Sequence, residues 1–265
     1  MRHLRVLLLT SFLISVQGAM GATLNVYISE PDAQATTITG ASTANFNGLG
    51  TGLDTSTYHS PIGNFLFSNT TPVEVIAADQ FGGASGSRYI SLGAQSGTSA
   101  AVTVNLTASV NYLGIWWSAA DTNNQLSVYS GTTLIKTLTT ADILSLLGGS
   151  TVTAVNGSVY NTSQYFGNPN NNLDPAEPFY YLELVTTGVT FDKLVMSNSG
   201  STGTGFESDN WSTFAGTVSV PTTDVLVDSF TVVPEPSQYA AMFGAVIFCL
   251  VTGHRLLKPR HSQMA

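Results

Sequence analysis

Cysteine, histidine and basic residues are scarce in this chain, and each shortage removes a class of protein. The one cysteine, Cys249, lies inside an apolar run near the C-terminal end. No intrachain disulfide can form, so the rest of the chain must be stabilised by burial alone, even in a compartment that permits disulfides. Between the two ends His59 is the sole imidazole. One histidine without cysteine cannot furnish a usual zinc site, and a lone turn histidine in Thr57-Tyr58-His59-Ser60-Pro61 reads as solvated rather than as a catalytic base. Of eight Lys and Arg, five sit at the ends: Arg2, Arg5, Arg255, Lys258 and Arg260. Arg88, Lys136 and Lys193 are left against fifteen carboxylates, a formal charge of −12. Such a stretch cannot neutralise a row of phosphates, which argues against nucleic acid. An anionic membrane surface repels it as well. Divalent cations and neutral sugars fit better.

The two ends carry what the middle lacks. Residues 1–21 combine Arg2 and Arg5, an apolar core from Val6 to Val16, and small residues from Gly18 to Ala22. These are the three parts of a secretory signal peptide, with cleavage after Gly18 or after Gly21. At the other end, 232–236 forms a proline-flanked linker that leads into an uncharged run over 237–254, then a basic segment over 255–265. At ~1.5 Å per residue that run is long enough to span a thin hydrocarbon core of ~30 Å. Arg255, Lys258 and Arg260 keep the last residues in the cytoplasm and leave the body, 22–231, outside. Pro234 and Pro236 cannot extend the helix, so Glu235 is presented in an extended segment at the membrane border.

Val233-Pro234-Glu235-Pro236-Ser237, the short span and the basic cluster together resemble the PEP-CTERM sorting signal of Gram-negative bacteria. The resemblance covers residues 233–260, with one departure: the basic residues are spread out and followed by residues 261–265. It implies an exosortase-type membrane enzyme as processing partner and a final location at the cell surface or in its matrix. It also implies a context of exopolysaccharide and biofilm.

The body reads as short strands separated by turn residues. Val102, Val104 and Leu106 alternate with Thr103, Asn105 and Thr107, the pattern of a half-buried strand. Residues 112–117 are apolar without a break, which predicts burial on both faces. Residues 126–129 and 133–138 flank Ser130-Gly131-Thr132 and predict a hairpin. A second hairpin is predicted for 179–185 and 189–196, and last strands for 213–220 and 225–232. One helix is expected over 141–147, capped by Thr139 or Thr140 and ended by Gly148. The loop 161–178, with three prolines and Asn168, Asn170, Asn171 and Asn172, reads as a long surface excursion. The fold class is all-β, an antiparallel sandwich of jelly-roll type.

Gln80-Phe81-Gly82-Gly83, Tyr89, Val110-Asn111-Tyr112-Leu113-Gly114-Ile115-Trp116-Trp117, Asp121, Leu126-Ser127-Val128-Tyr129-Ser130-Gly131 and Phe206-Glu207-Ser208-Asp209-Asn210 resemble one family of exosortase-dependent surface proteins. That resemblance implies location and fold rather than mechanism.

Chemistry has few carriers here. Fifteen acids always offer some pair, so a glycosidase with two carboxylates is neither supported nor excluded, and the expectation is a protein that is not an enzyme. Two oxygen-rich clusters are calcium candidates: Asp121, Asn123 and Asn124 in one, Glu207 and Asp209 in the other. The plainer reading of both is as turns whose Asp and Asn bond their own backbone. Trp116, Trp117, Tyr180, Tyr181 and Trp211 are either core residues or a platform for sugar rings. Trp211, the least strand-like, is the stacking candidate. Three roles follow for the body: a structural or adhesive surface protein, a carbohydrate-binding module, or a carboxylate hydrolase. The topology is directly testable. A reporter fused after Ala265 is expected to act as cytoplasmic and one inserted at residues 168–172 as periplasmic; the reverse pattern would overturn the orientation.

Overall fold

The computed structural model describes residues 21–200 and 203–232. The signal peptide (apart from Gly21), the motif Val233 to Ser237, the span 237–254 and the basic cluster Arg255, Lys258 and Arg260 lie outside the described residues. Among those described, no helix is long and apolar enough to cross a membrane.

The chain forms β1 (Ala22–Ile28), β2 (Ser42–Ala44), β3 (Gly52–Asp54), β4 (Tyr58–Ser60), β5 (Gly63–Phe65), β6 (Val73–Ile76) and β7 (Tyr89–Leu92). It continues through β8 (Ala101–Val110), β9 (Tyr112–Ser118), β10 (Asn124–Ser130), β11 (Thr133–Thr139) and the helix α1 (Thr140–Leu147). Then come β12 (Thr151–Thr153), β13 (Val159–Asn161), β14 (Tyr180–Thr187), β15 (Phe191–Asn198), β16 (Phe206–Phe214) and β17 (Val225–Val232). The larger sheet runs β17-β1-β14-β9-β16-β7-β6-β3, with β2 added on β16; the smaller runs β11-β10-β15-β8-β5-β4. The fold is all-β and its strand pairs are antiparallel.

Period-2 alternation builds the core between the sheets. Leu113, Ile115 and Trp117 of β9 and Leu182 and Leu184 of β14 meet Val102 and Val104 of β8 and Leu194 and Met196 of β15 in one buried cluster. The corner between β8 and β9 is a single polar residue. Asn111 alone links β8 to β9, and its side chain accepts from Gly216 N–H at 3.2 Å and donates to the Val189 carbonyl at 3.1 Å. Its backbone carbonyl accepts from Thr186 N–H at 2.8 Å. One asparagine thereby satisfies backbone groups that the change of sheet would otherwise orphan.

Several expectations match. The β10–β11 hairpin turns on Gly131, whose φ of 58° only glycine adopts freely. Thr139 caps α1 in a reciprocal box, donating its N–H to Asp142 Oδ2 at 2.7 Å while its hydroxyl accepts from Asp142 N–H at 3.3 Å. All seven residues of β9 are buried.

Three expectations need correction. Residues 179–196 do not form a hairpin, because β14 pairs with β1 and β9 whereas β15 pairs with β8 and β10. A glycine joint between two alternating strands has the same local signal whether the chain folds back or crosses to the facing sheet. The penultimate strand ends at Phe214, earlier than expected, and it contains the whole segment Glu207 to Asn210, which is therefore not a turn. A register shift between Asp209 and Ser212, with Asn210 at φ 46°, places this polar run inside a strand. The loop 161–178 is more than a surface excursion: a 3₁₀ turn, Thr162–Tyr165, buries Tyr165, and Asn168 is buried behind it.

Candidate functional site

The outer face of the larger sheet, opposite the core, carries the buried polar chemistry. Alternation aims Tyr112, Gly114, Trp116 and Ser118 of β9, Tyr181 and Glu183 of β14, and Glu207 and Asp209 of β16 away from the core cluster. These side chains are nonetheless buried, because three loops cover them. Trp116, Tyr181, Phe179, Ala84 and Ala119 make a small second apolar cluster there.

The 79–88 loop is tied down through its backbone. Phe81 N–H and Gly82 N–H both donate to Tyr89 Oη at 3.1 Å, Gly83 N–H to Ser118 Oγ at 3.1 Å, and Ala84 N–H to Asp209 Oδ2 at 3.2 Å. A Cβ on Gly82 would stand 2.5 Å from Ser118 Oγ, and one on Gly83 2.5 Å from the Tyr89 ring. This close approach is why two glycines follow Phe81. The Phe81 ring itself is 42% exposed. The 167–178 loop joins in, with Asn168 Nδ2 donating to the Phe81 carbonyl at 3.2 Å and Asn171 Nδ2 to the Asp79 carbonyl at 2.6 Å. Gln34 bridges all of this: its amide donates to Asn170 at 2.9 Å and accepts from Ser85 N–H at 2.6 Å, while its carbonyl accepts from Asn210 Nδ2 at 2.9 Å.

The structure redistributes the candidate residues. Trp211 is fully buried in the core, edge-on to Phe65 at 5.4 Å, with its indole N–H on Ser208 Oγ at 3.1 Å. It offers no platform, and neither do Trp116, Trp117, Tyr180 and Tyr181, all buried. A tryptophan between Asn210 and Ser212 looks exposed only because the register shift in β16 is invisible locally. Asp121 opens a turn closed by Asn124 N–H on its carbonyl at 3.1 Å, with Asn123 half-buried inside the turn. Asn124 is buried and accepts from Asn198 Nδ2 at 2.7 Å. Asp209 accepts from the Ala84 and Asn210 amides, and burial pushes it up to about 6. His59 is exposed, with Nδ1 2.8 Å from Asn64 Oδ1.

Asp121 and Glu207, from two separate sequence clusters, come together. Gly205 N–H donates to Asp121 Oδ2 at 2.7 Å, and Glu207 Oε1 accepts from Ser91 Oγ at 2.9 Å. Burial, then the charges of Asp121 and Glu177, push Glu207 up to about 8. Burial, then Asp121 and Asp174, push Glu177 up to about 7. Asp121 is raised by burial and by Asp174. Asp174 and Glu177 belong to the same electrostatic group, yet no spacing rule connects them to it; the length of their loop is the only signal they send. A groove of about 330 Å³ lies elsewhere, between α1 and β17, and none of these carboxylates lines it.

A second buried pair joins β14 to the segment before β17. Glu183 Oε1 accepts from Tyr112 Oη at 2.5 Å, and the Tyr112 hydroxyl is 2.7 Å from that of Thr36. Asp224 is held well above the usual carboxylate range, first by burial, then by its hydrogen bond to Glu183 and the charges of Glu183 and Glu30. No family model matches the chain, and a search of the curated proteins finds none similar to it.

A raised acid stabilises the folded state most when protonated. The Asp224 contribution is present below its unfolded pKa and is lost as pH rises through its folded value. Asp224→Asn, which keeps a neutral hydrogen-bonding side chain, is expected to melt near wild type at pH 4. At pH 9 it is expected to melt roughly 3 °C or more above wild type. Equal melting differences at both pH values, read by circular dichroism, would contradict the raised Asp224 carboxyl.

Proposed function

We propose that this chain is an exported surface protein of a Gram-negative bacterium, non-enzymatic and structural or adhesive, sorted by a PEP-CTERM tail. The observation that carries the reading is Val233-Pro234-Glu235-Pro236-Ser237, followed by an apolar run and by Arg255, Lys258 and Arg260. The jelly-roll form of the sandwich is supported by strand order. The larger sheet contains β7-β16-β9-β14 and the smaller β8-β15-β10-β11. From β7 to β16 these strands change sheet at every step except the β10–β11 hairpin, as in a pair of Greek keys. The buried position of Glu207 and Asp209 favours a structural role over hydrolysis, which needs two carboxylates open to substrate.

The test is intact mass in an exosortase-containing host and in one lacking the enzyme. The expected mature form begins near Ala19 or Ala22 and ends near Pro236. Replacing Pro234-Glu235-Pro236 by three alanines leaves insertion intact and yields unprocessed, membrane-held protein. Identical masses in both hosts, with residues after Ser237 attached, would reduce the tail to an anchor.

One observation favours a second reading, a carbohydrate-binding module. Phe81 is an exposed ring on a backbone pinned by three sheet side chains, the rigid aromatic that stacking on a sugar requires. On a glycan array, with and without calcium, wild type is expected to retain a surface polysaccharide that Phe81→Ala loses at least tenfold. Equal retention by both proteins would remove Phe81 from the reading.

A further inference from the structure

Four carboxylates share one region of the fold without a cationic partner. Asp121 follows β9, Glu207 lies on β16, and Asp174 and Glu177 sit on the loop that leads into β14. The loop is seated beside Asp121 by its backbone, since Ala120 N–H donates to the Pro178 carbonyl and Gly167 N–H to the Glu177 carbonyl, both at 3.0 Å. The three cations of the described residues are engaged elsewhere. Arg88 Nη1 donates to the Asn47 and Leu49 carbonyls, Lys136 lies 3.9 Å from the Phe230 ring centre, and Lys193 lies 4.3 Å from that of Tyr129.

A second observation points to a ligand rather than to a merely acidic surface. Glu207 is 2% exposed, and its Oε2 has no hydrogen-bond partner. A buried ionised carboxylate needs a counter-charge or a proton. Its other oxygen packs against Gly205, whose missing side chain permits the approach: a Cβ there would stand 2.5 Å from Glu207 Oε1, 3.0 Å from Ser91 Oγ and 3.1 Å from Gln95 Oε1. The same Gly205 holds Asp121 through its N–H. On the loop side, Asp174 Oδ2 is also buried without a partner. Oxygen donors dominate this region, and hard oxygen donors on a loop suit Ca²⁺, which accepts irregular shells of six to eight oxygens.

We propose that Asp121, Glu177 and Glu207, with Asp174 beside them, bind one Ca²⁺ ion that fastens the 167–178 loop to the outer face of the larger sheet. Among the described residues no three Asp, Glu, His or Cys side chains already stand close enough to hold a metal. Binding therefore draws the loop carboxylates toward Asp121 and Glu207, and backbone carbonyls and water complete the shell. The ion supplies the counter-charge that the buried Glu207 carboxylate otherwise lacks. The site is independent of the sorting tail and of Phe81.

The experiment uses the full-length chain in detergent, stripped with a chelator and titrated with CaCl₂. Wild type is expected to melt roughly 5 °C higher at a Ca²⁺ concentration about a hundred times the dissociation constant. Glu207→Gln and Asp121→Asn are each expected to lose most of that rise, while Asp54→Asn, at the end of β3, keeps it. Glu207→Gln keeps the shape of the side chain and an oxygen for Ser91 Oγ, so in chelator it is expected to melt within roughly 3 °C of wild type, which shows that its lost response is not misfolding. A wild-type melting temperature unmoved at about 10 mM Ca²⁺, beyond the millimolar range of extracellular calcium modules, would overturn the proposal. So would a full rise in both variants. Either result would leave Glu207 as a buried acid that keeps its proton.

Discussion

A sheet covered on both faces must satisfy two different partners with one alternating sequence, and β9, β14 and β16 live under that constraint. Their inward residues meet the smaller sheet, so Leu113, Ile115, Trp117, Leu182 and Leu184 are apolar and fill a common core. Their outward residues meet loops, and loops bring backbone amides and carbonyls that need partners. Tyr89, Ser118 and Asp209 supply them from neighbouring strands. A conventional antiparallel sheet would leave that face to water. Here the uninterrupted burial of β9 is the mark of the second cover.

The same constraint explains the electrostatics. Carboxylates that would be solvated on an open sheet are enclosed once the loops lie over them, and between its two ends the chain provides only three cations for fifteen acids. Burial, more than mutual repulsion, is the first cause of every raised carboxyl at the site, and the neighbouring acids add to it. The fold then keeps neutrality by holding protons, as at Asp224; the calcium ion proposed above is the other way to the same end. Without a disulfide, the covering loops depend on this polar layer for their attachment. Gln34 ties two of them to β16, and Asn168 reaches from one loop to the next.

Legibility in the sequence followed the range of the interactions involved. Thr139 and Asp142 are three residues apart, so the helix cap could be read directly, as could the Gly131 hairpin and the unbroken apolar run of β9. The corner at Gly188 could not be separated from a hairpin, because the choice between them depends on which sheet receives Phe191, Leu194 and Met196. Trp211 and the Glu207 to Asn210 segment misled for a related reason: the register shift in β16 is set by β7, β9 and β2 together.

By itself the sequence determined the class of fold, the strand-rich body bounded by two differently built ends, the acidic balance, and the exclusion of disulfides and of the usual zinc sites. Those properties are sums or short-range patterns, and each residue contributes to them wherever it lies in space. Only the tertiary structure decided that Asp121 and Glu207 flank one glycine, that Asp174 and Glu177 join them from another loop, and that Phe81 rather than Trp211 meets solvent. Electrostatic grouping and burial depend on distances of a few ångströms between segments tens of residues apart. The alternation of a strand states which residues share a face, and the loops lying over that face determine what the face can do.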